Sequence, residues 1–242
     1  MKPIYLFYHI TDFMDYEHIA HEQISKLEYS GLLDAASHLY INYHSFDSGD
    51  YSSIKTRLLP YGNVTWVHGS AHIKDYEHST AVLIQEIAKN SIDSNCLYFH
   101  QKGVSHKNLP SYIPCSHWRW YLDYWNIENW VDCIKLLEQG YDGVGCNLSL
   151  DSIPHYSGTT RWLSSRYIKR MPQLVLPSSI EYSKQLIGYD YAYPKEFSYR
   201  YEVEFQIGVS AMSLDAQLVT LNQLKNYDGY KDIIHRKYYA LN

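Results

Sequence analysis

The feature of this sequence that most limits its fold is a recurring unit: a short β-rich apolar run, a polar turn, then a stretch with apolar residues three and four apart. Ile4 to Ile10 reads as a strand, and Ala20, Ile24 and Leu27 mark one face of a helix that closes near Gly31. Leu39 to Tyr43 is a second strand, followed after Asp47 and Asp50 by a short helix ending near Pro60. Asn63 to Val67 is a third, with Thr80, Leu83, Ile84 and Ile87 as the apolar side of the next helix, and Cys96 to Phe99 is a fourth that runs into His100. Strands separated by helices of this length imply right-handed crossovers and a mostly parallel sheet.

The second half is less regular. Trp118 to Gln139 reads as one long helix with Tyr124, Ile127, Val131, Ile134 and Leu137 on one face and Gly140 as its stop. Asp142 to Leu148 is a Gly-rich fifth strand, Thr159 to Leu163 a further short strand, Ser164 to Met171 a helical turn, and Glu202 to Val209 a helix. No solenoid repeat and no linker divides the chain, so the expectation is a single domain.

Composition narrows the function classes. The net charge of −5 disfavours coating of nucleic acid or anionic membrane, which needs a basic face. No run approaches the length of a membrane span, and Met1-Lys2-Pro3 leads straight into the first strand with no secretory h-region, so cytoplasmic residence is expected. Four cysteines without a CxxC read as reduced thiols. The chain has 26 Tyr, 6 Trp and 6 Phe, which suits stacking on sugars or bases and equally fits an AT-rich coding sequence.

Open parallel sheets bind ligands beyond the carboxyl ends of their strands. That rule selects His9 and Thr11, the turn Val67-His68-Gly69-Ser70, and above all His100-Gln101-Lys102-Gly103, where an imidazole, an ammonium and a permissive backbone meet at one edge and suit a phosphate. The pairs His18/His21 and His68/His72, with His78 nearby, lack the convergent ligands that zinc needs, so no metal site is expected there. No P-loop, Gly-x-Ser-x-Gly or Gly-x-Gly-x-x-Gly is present.

The run Leu97 to His106, followed by Trp118-Arg119, resembles the strand-His-x-Lys-Gly and Trp-Arg elements of small GT-A-type glycosyltransferases, which occur in bacterial polysaccharide clusters, rhamnan-synthesis proteins and large DNA viruses. Phe7 to Ile10, Tyr29 to Leu32, Tyr76-Glu77, His155 to Thr159 and Glu204 to Gly208 extend the resemblance in order over roughly residues 1 to 210. It implies a GT-A-like (Rossmann-like) α/β domain over 1–242. Residues 1–115 would form the nucleotide-sugar-binding half, 116–210 the acceptor and catalytic half, and 211–242 a C-terminal extension that wraps the body or joins a partner.

The implied activity is transfer of a hexose or deoxyhexose from a nucleotide-sugar donor to a glycan or other hydroxyl acceptor. The implied donor-site residues are His9, Thr11, Tyr76, Glu77, His100, Lys102, Gly103, Arg119 and the segment His155, Tyr156, Ser157, Gly158. Where the family carries a metal-binding Asp-x-Asp, this chain has His100-Gln101-Lys102, which leaves open whether Mn²⁺ or Mg²⁺ takes part. Lys102 and Arg119 are the cations available to meet a leaving diphosphate. An inverting reaction needs a carboxylate base, for which Glu204 is favoured over Glu202; residues two apart point to different sides, so at most one faces the cleft. The alternative is a non-catalytic nucleotide-sugar or carbohydrate-binding module that has lost the metal motif.

Overall fold

The computed structural model describes residues 2–45, 49–70, 75, 77–150, 154–174, 176, 203, 210 and 212–240. The expected repeat is present: β1 (Ile4–Thr11), α1 (Tyr16–Tyr29), α2 (Leu32–Ala35), β2 (His38–His44), α3 (Ser52–Leu58), β3 (Val64–His68), α4 (His78–Asn90) and β4 (Asn95–His100). Then follow α5 (Tyr112–Asp123), α6 (Trp130–Glu138), β5 (Gly143–Gly145), β6 (Leu148–Ser149), β7 (His155–Tyr156), β8 (Arg161–Ser164), α7 (Ser165–Arg170) and β9 (Leu218–Thr220).

Seven strands form one sheet in the order β3-β2-β1-β4-β8-β5-β9. β3, β2, β1 and β4 are parallel, β8 is antiparallel to both β4 and β5, and β9 runs parallel to β5. The result is a mostly parallel, Rossmann-like sheet flanked by helices in a single domain.

The two faces of β1 explain why its sequence is apolar from Ile4 to Tyr8. Ile4, Leu6, Tyr8 and Ile10 face α1 (Ala20, Ile24, Leu27) and α6 (Cys133, Ile134, Leu137) in one core. Phe7 faces α4 (Ile84, Ala88) and α7 (Tyr167, Ile168) in the other. Helices thus cover both faces, and a strand buried on both sides cannot show polar alternation. The chain steps outward through β2 and β3, then returns to place β4 on the far side of β1, so the order reverses between β1 and β4.

Three expectations are corrected. The single helix from Trp118 to Gln139 is two, because residues 124–129 widen into a π-type turn in which Asn129 N–H bonds the carbonyl of Tyr124 at 3.0 Å. The Asn126 carbonyl there accepts the buried Trp162 indole N–H at 2.8 Å, so the widened turn satisfies a donor from the sheet. The strand expected over Asp142 to Leu148 stops at Gly145: Asn147 takes a positive φ of 52°, and Leu148–Ser149 pairs with β7 instead of the main sheet. The strand expected from Thr159 begins at Arg161, since Thr159 itself has φ 69°. The helix expected over Glu202 to Val209 lies outside the described residues, Val203 excepted.

All four cysteines are free and buried. Among the described residues, no helix is long and apolar enough to cross a membrane. The C-terminal residues extend the body: β9 adds the last strand of the sheet, and Ile234 and Tyr239 pack on Trp118, Tyr121 and Leu122 of α5.

Candidate functional site

The register of β1 with β4 pairs His9 with His100, so two imidazoles leave the same face of the sheet at the same level, at its carboxyl end. Between them and the first turn of α4 lies a cleft of about 580 Å³, at the point where the strand order reverses. His9, Thr11, Glu77, His100, Lys102 and Gly103 all line it, joined by Phe13, Gln101, the 104–106 turn, Thr159 and Tyr230.

His9 is buried, with Nδ1 2.9 Å from the Thr80 hydroxyl and its ring 4.8 Å from that of His44. Burial drives its pKa down to about 3; His44 adds to the fall and Glu77 opposes it. Glu77 Oε1 lies 3.8 Å from His100 Nε2. Burial pushes the Glu77 carboxyl up, but His100, His9, a hydrogen bond from Tyr98 and the Lys102 ammonium outweigh it and bring the pKa down to about 2. Glu77 is therefore a fixed anion at neutral pH.

After His100 the backbone turns sharply. Lys102 N–H bonds the His100 carbonyl at 2.9 Å, and Gly103 takes φ 84°, ψ 4°, with its α-carbon against α5: a Cβ there would sit 2.8 Å from Cys115 Cβ. Both the left-handed backbone and the close approach call for glycine. Three side chains brace this turn. Gln23 Nε2 donates to the His100 carbonyl at 3.1 Å, and Arg119 Nη1 donates to the Lys102 carbonyl at 2.8 Å. The Gln101 amide accepts the Thr11 N–H at 2.9 Å and donates to the Tyr16 carbonyl at 2.6 Å.

The braces are themselves anchored in charge. Gln23 also donates to Asp123 Oδ1 at 3.0 Å, Asp123 pairs with Lys26 at 2.8 Å, and Lys26 pairs with Glu22 at 2.9 Å. Glu22 in turn meets Arg119 at 3.4 Å. Burial raises the Glu22 carboxyl, but Lys26 and Arg119 more than reverse that; burial lowers the Lys26 ammonium, but Asp123 and Glu22 lift it above its ordinary value. Glu22 and Lys26 are thus held ionised by their neighbours.

Lys102 differs from Lys26. Its ammonium lies 4.3 Å from the Trp118 ring and 5.4 Å from that of Tyr230, donates to the Tyr230 hydroxyl at 3.4 Å, and meets no carboxylate at ion-pair distance among the described residues. Trp118 and Arg119 therefore act on one residue: the indole lies beside the Lys102 ammonium and the guanidinium holds its carbonyl.

Other sequence-selected residues fall elsewhere. Arg119 is 2% exposed and sits behind the turn, away from the cleft lining. Tyr156 is buried with its hydroxyl on the Val219 carbonyl at 2.9 Å. Gly158 packs on Leu122 and Trp118, and His155 and Ser157 stand outside the lining, which takes only the next residue in that direction, Thr159. Gly69 and Ser70 brace His44, whose Nδ1 lies 2.6 Å from the Ser70 carbonyl, and do not reach the cleft. Tyr76, Glu202 and Glu204 lie outside the described residues. The sequence reading missed Tyr230; the one local hint is Asp228-Gly229, a turn-forming pair that says nothing of where the turn docks.

At His100-Gln101-Lys102, where the resemblance would put an Asp-x-Asp, the donors do not suit a divalent cation. Gln101 is spent on two backbone groups and Lys102 is itself a cation. No group of three or more His, Cys, Asp or Glu among the described residues is arranged to hold a metal ion.

Sheet order and cleft together define a Rossmann-like α/β protein with its candidate site at the topological switch point. No protein-family model matches the chain, and no curated protein does. Among solved structures it is similar to a 4-diphosphocytidyl-2C-methyl-D-erythritol synthase from Anaerococcus prevotii DSM 20548, at 10% identity and TM-score 0.44 over 98% of this chain and 94% of that one. A protein assigned as a nucleotide-diphospho-sugar transferase from Desulfovibrio desulfuricans G20 matches at 10% identity and TM-score 0.44, over 92% of this chain and 81% of that one. A second 4-diphosphocytidyl-2C-methyl-D-erythritol synthase matches at 8% identity and TM-score 0.43, over 94% of both chains. The fold assignment rests on strand order and register themselves.

Proposed function

We propose that this chain is a glycosyltransferase that moves a hexose or deoxyhexose from a nucleotide-sugar donor to a hydroxyl of a glycan or other acceptor. The observation that carries the reading is the Lys102 ammonium, which lines a cleft of about 580 Å³ beside the carboxyl ends of β1 and β4 and meets no carboxylate at ion-pair distance among the described residues. In this reading the donor diphosphate lies against Lys102 and the Gly103 turn, and its sugar lies towards His9, His100, Glu77 and Thr159.

As the acceptor oxygen bonds to the anomeric carbon, the bond from that carbon to the diphosphate oxygen breaks, and the nucleoside diphosphate leaves with the electron pair. Lys102 meets the charge that develops on it, in a site whose braced backbone needs no reorganisation. The acceptor proton goes to a carboxylate if configuration inverts. Glu77, with a pKa near 2, is a poor base at neutral pH and suits accepting hydrogen bonds from sugar hydroxyls. Glu204 is assigned the base role, with Glu202 as the other candidate. Arg119 and Gln23 position the turn.

Thermal shift against UDP, GDP and dTDP and their sugars tests the donor site; a ligand at 100 times its Kd adds about 2.7 kcal/mol of stability. Stabilisation by at least one nucleotide, with transfer that persists in excess EDTA, is expected. No stabilisation by any of them overturns the donor reading. Activity lost in EDTA and restored by Mn²⁺ or Mg²⁺ overturns the metal-free one. Binding without turnover or donor hydrolysis selects the non-catalytic binding module.

A further inference from the structure

We propose that Tyr230 is a positioning residue for Lys102, completing with Trp118 an aromatic cradle that holds the ammonium in place for a phosphate without neutralising it. The inference rests on the reading of the cleft as a nucleoside-diphosphate site. Tyr230 is distant in sequence, and three features bring it to the cleft. Its turn is self-bonded: Tyr230 N–H donates to Asp228 Oδ1 at 2.9 Å, Asp228 N–H donates to Asp232 Oδ2 at 2.7 Å, and Lys231 pairs with Asp228 at 3.0 Å. Gly229 lets that turn press on α5, since a Cβ there would lie 2.0 Å from the Trp118 ring. Behind it, the Ile234 carbonyl lies 2.7 Å from His117 Nδ1, and Ile234 is buried against α5.

The arrangement matters because of what it avoids. A carboxylate partner would hold Lys102 still but would cancel its charge and compete with an incoming phosphate. The faces of Trp118 and Tyr230 attract the ammonium through their ring quadrupoles and leave its charge in place. A lysine ordered in advance gives up less rotamer freedom when the anion binds, so affinity rises without a new contact to the ligand. Tyr230 is 44% exposed and remains open to the cleft beside the ammonium that it steadies.

The test is calorimetric titration of UDP and of inorganic pyrophosphate, at fixed salt, into the full chain and into Lys102→Ala, Tyr230→Ala, Tyr230→Phe, Tyr230→Leu and the Lys102→Ala/Tyr230→Ala pair. Lys102→Ala should weaken both ligands about 10- to 100-fold. Tyr230→Ala and Tyr230→Leu should weaken them about three- to fivefold, the size of a lost cation–π contact, and Tyr230→Phe should keep most of the affinity because the ring face acts more than the hydroxyl. In the Lys102→Ala background, Tyr230→Ala should cost nothing further. An equal Tyr230 effect in both backgrounds would show that Tyr230 meets the ligand itself, and normal affinity in Tyr230→Ala or full loss in Tyr230→Phe would likewise overturn the positioning role. No effect of Lys102→Ala removes the diphosphate reading itself, a result distinct from the others.

Discussion

Gly103→Ala probes the turn on which the candidate site depends. At φ 84° and ψ 4°, an L side chain costs about 1–2 kcal/mol. The added carbon also meets Cys115 Cβ at 2.8 Å, and that atom is fixed to the backbone of α5 and cannot swing aside. Relief requires moving the turn or the helix, an overpacking cost of about 1–3 kcal/mol. Moving the turn strains the 2.8 Å bond from Arg119 to the Lys102 carbonyl, so relaxation in that direction is opposed. The expected loss is about 2–5 kcal/mol in all. Gly140→Ala is the control: its φ is 106° but no atom lies within 4 Å of the added carbon, so it should lose only the backbone cost, about 1–2 kcal/mol. Urea denaturation with linear extrapolation measures both. If Gly103→Ala falls within about 0.5 kcal/mol of Gly140→Ala, the close-approach argument is wrong.

His9 is held neutral in the fold, with a pKa near 3 against 6.5 when unfolded, so the unfolded chain takes up the proton first and stability falls as pH drops from about 6.5 towards 3. Urea titrations at pH 7.5 and 4.5 should show the parent losing about 2–3 kcal/mol more than His9→Asn, and equal losses would remove His9 as the cause. Lys26→Met strands Asp123, which is 1% exposed, and should cost about 3–5 kcal/mol, partly recovered by adding Asp123→Asn; a loss under about 1 kcal/mol would show that the pair is not energetically buried. Glu204→Gln should lower turnover about 10²–10⁴-fold with UDP affinity unchanged. Normal turnover there with a dead Glu202→Gln would transfer the base role to Glu202.

The repeating strand and helix units of the first half were legible because each is a local pattern. The apolar run Ile4 to Tyr8 of β1 demands burial on both faces, and the 3–4 spacing of Ala20, Ile24 and Leu27 in α1 states which side of that helix must be buried, whatever lies across from them. The cleft residues His9, Thr11, His100, Lys102 and Gly103 were legible for the same reason, since a parallel sheet sends the ends of its strands to one edge. Glu77 came from the resemblance, and the start of α4 brings it to that edge. What those residues do there is a different kind of fact. Arg119 and Lys102 carry the same charge in the sequence, yet one is buried against Glu22 and a backbone carbonyl while the other stands over two aromatic rings. The antiparallel insertion of β8, the π-type turn that serves Trp162, and the arrival of Tyr230 beside Lys102 likewise join residues tens to more than a hundred positions apart. Local periodicity determines which side of an element seeks burial; only the packed chain decides which partner each polar or charged group finds, because desolvation penalises any that finds none.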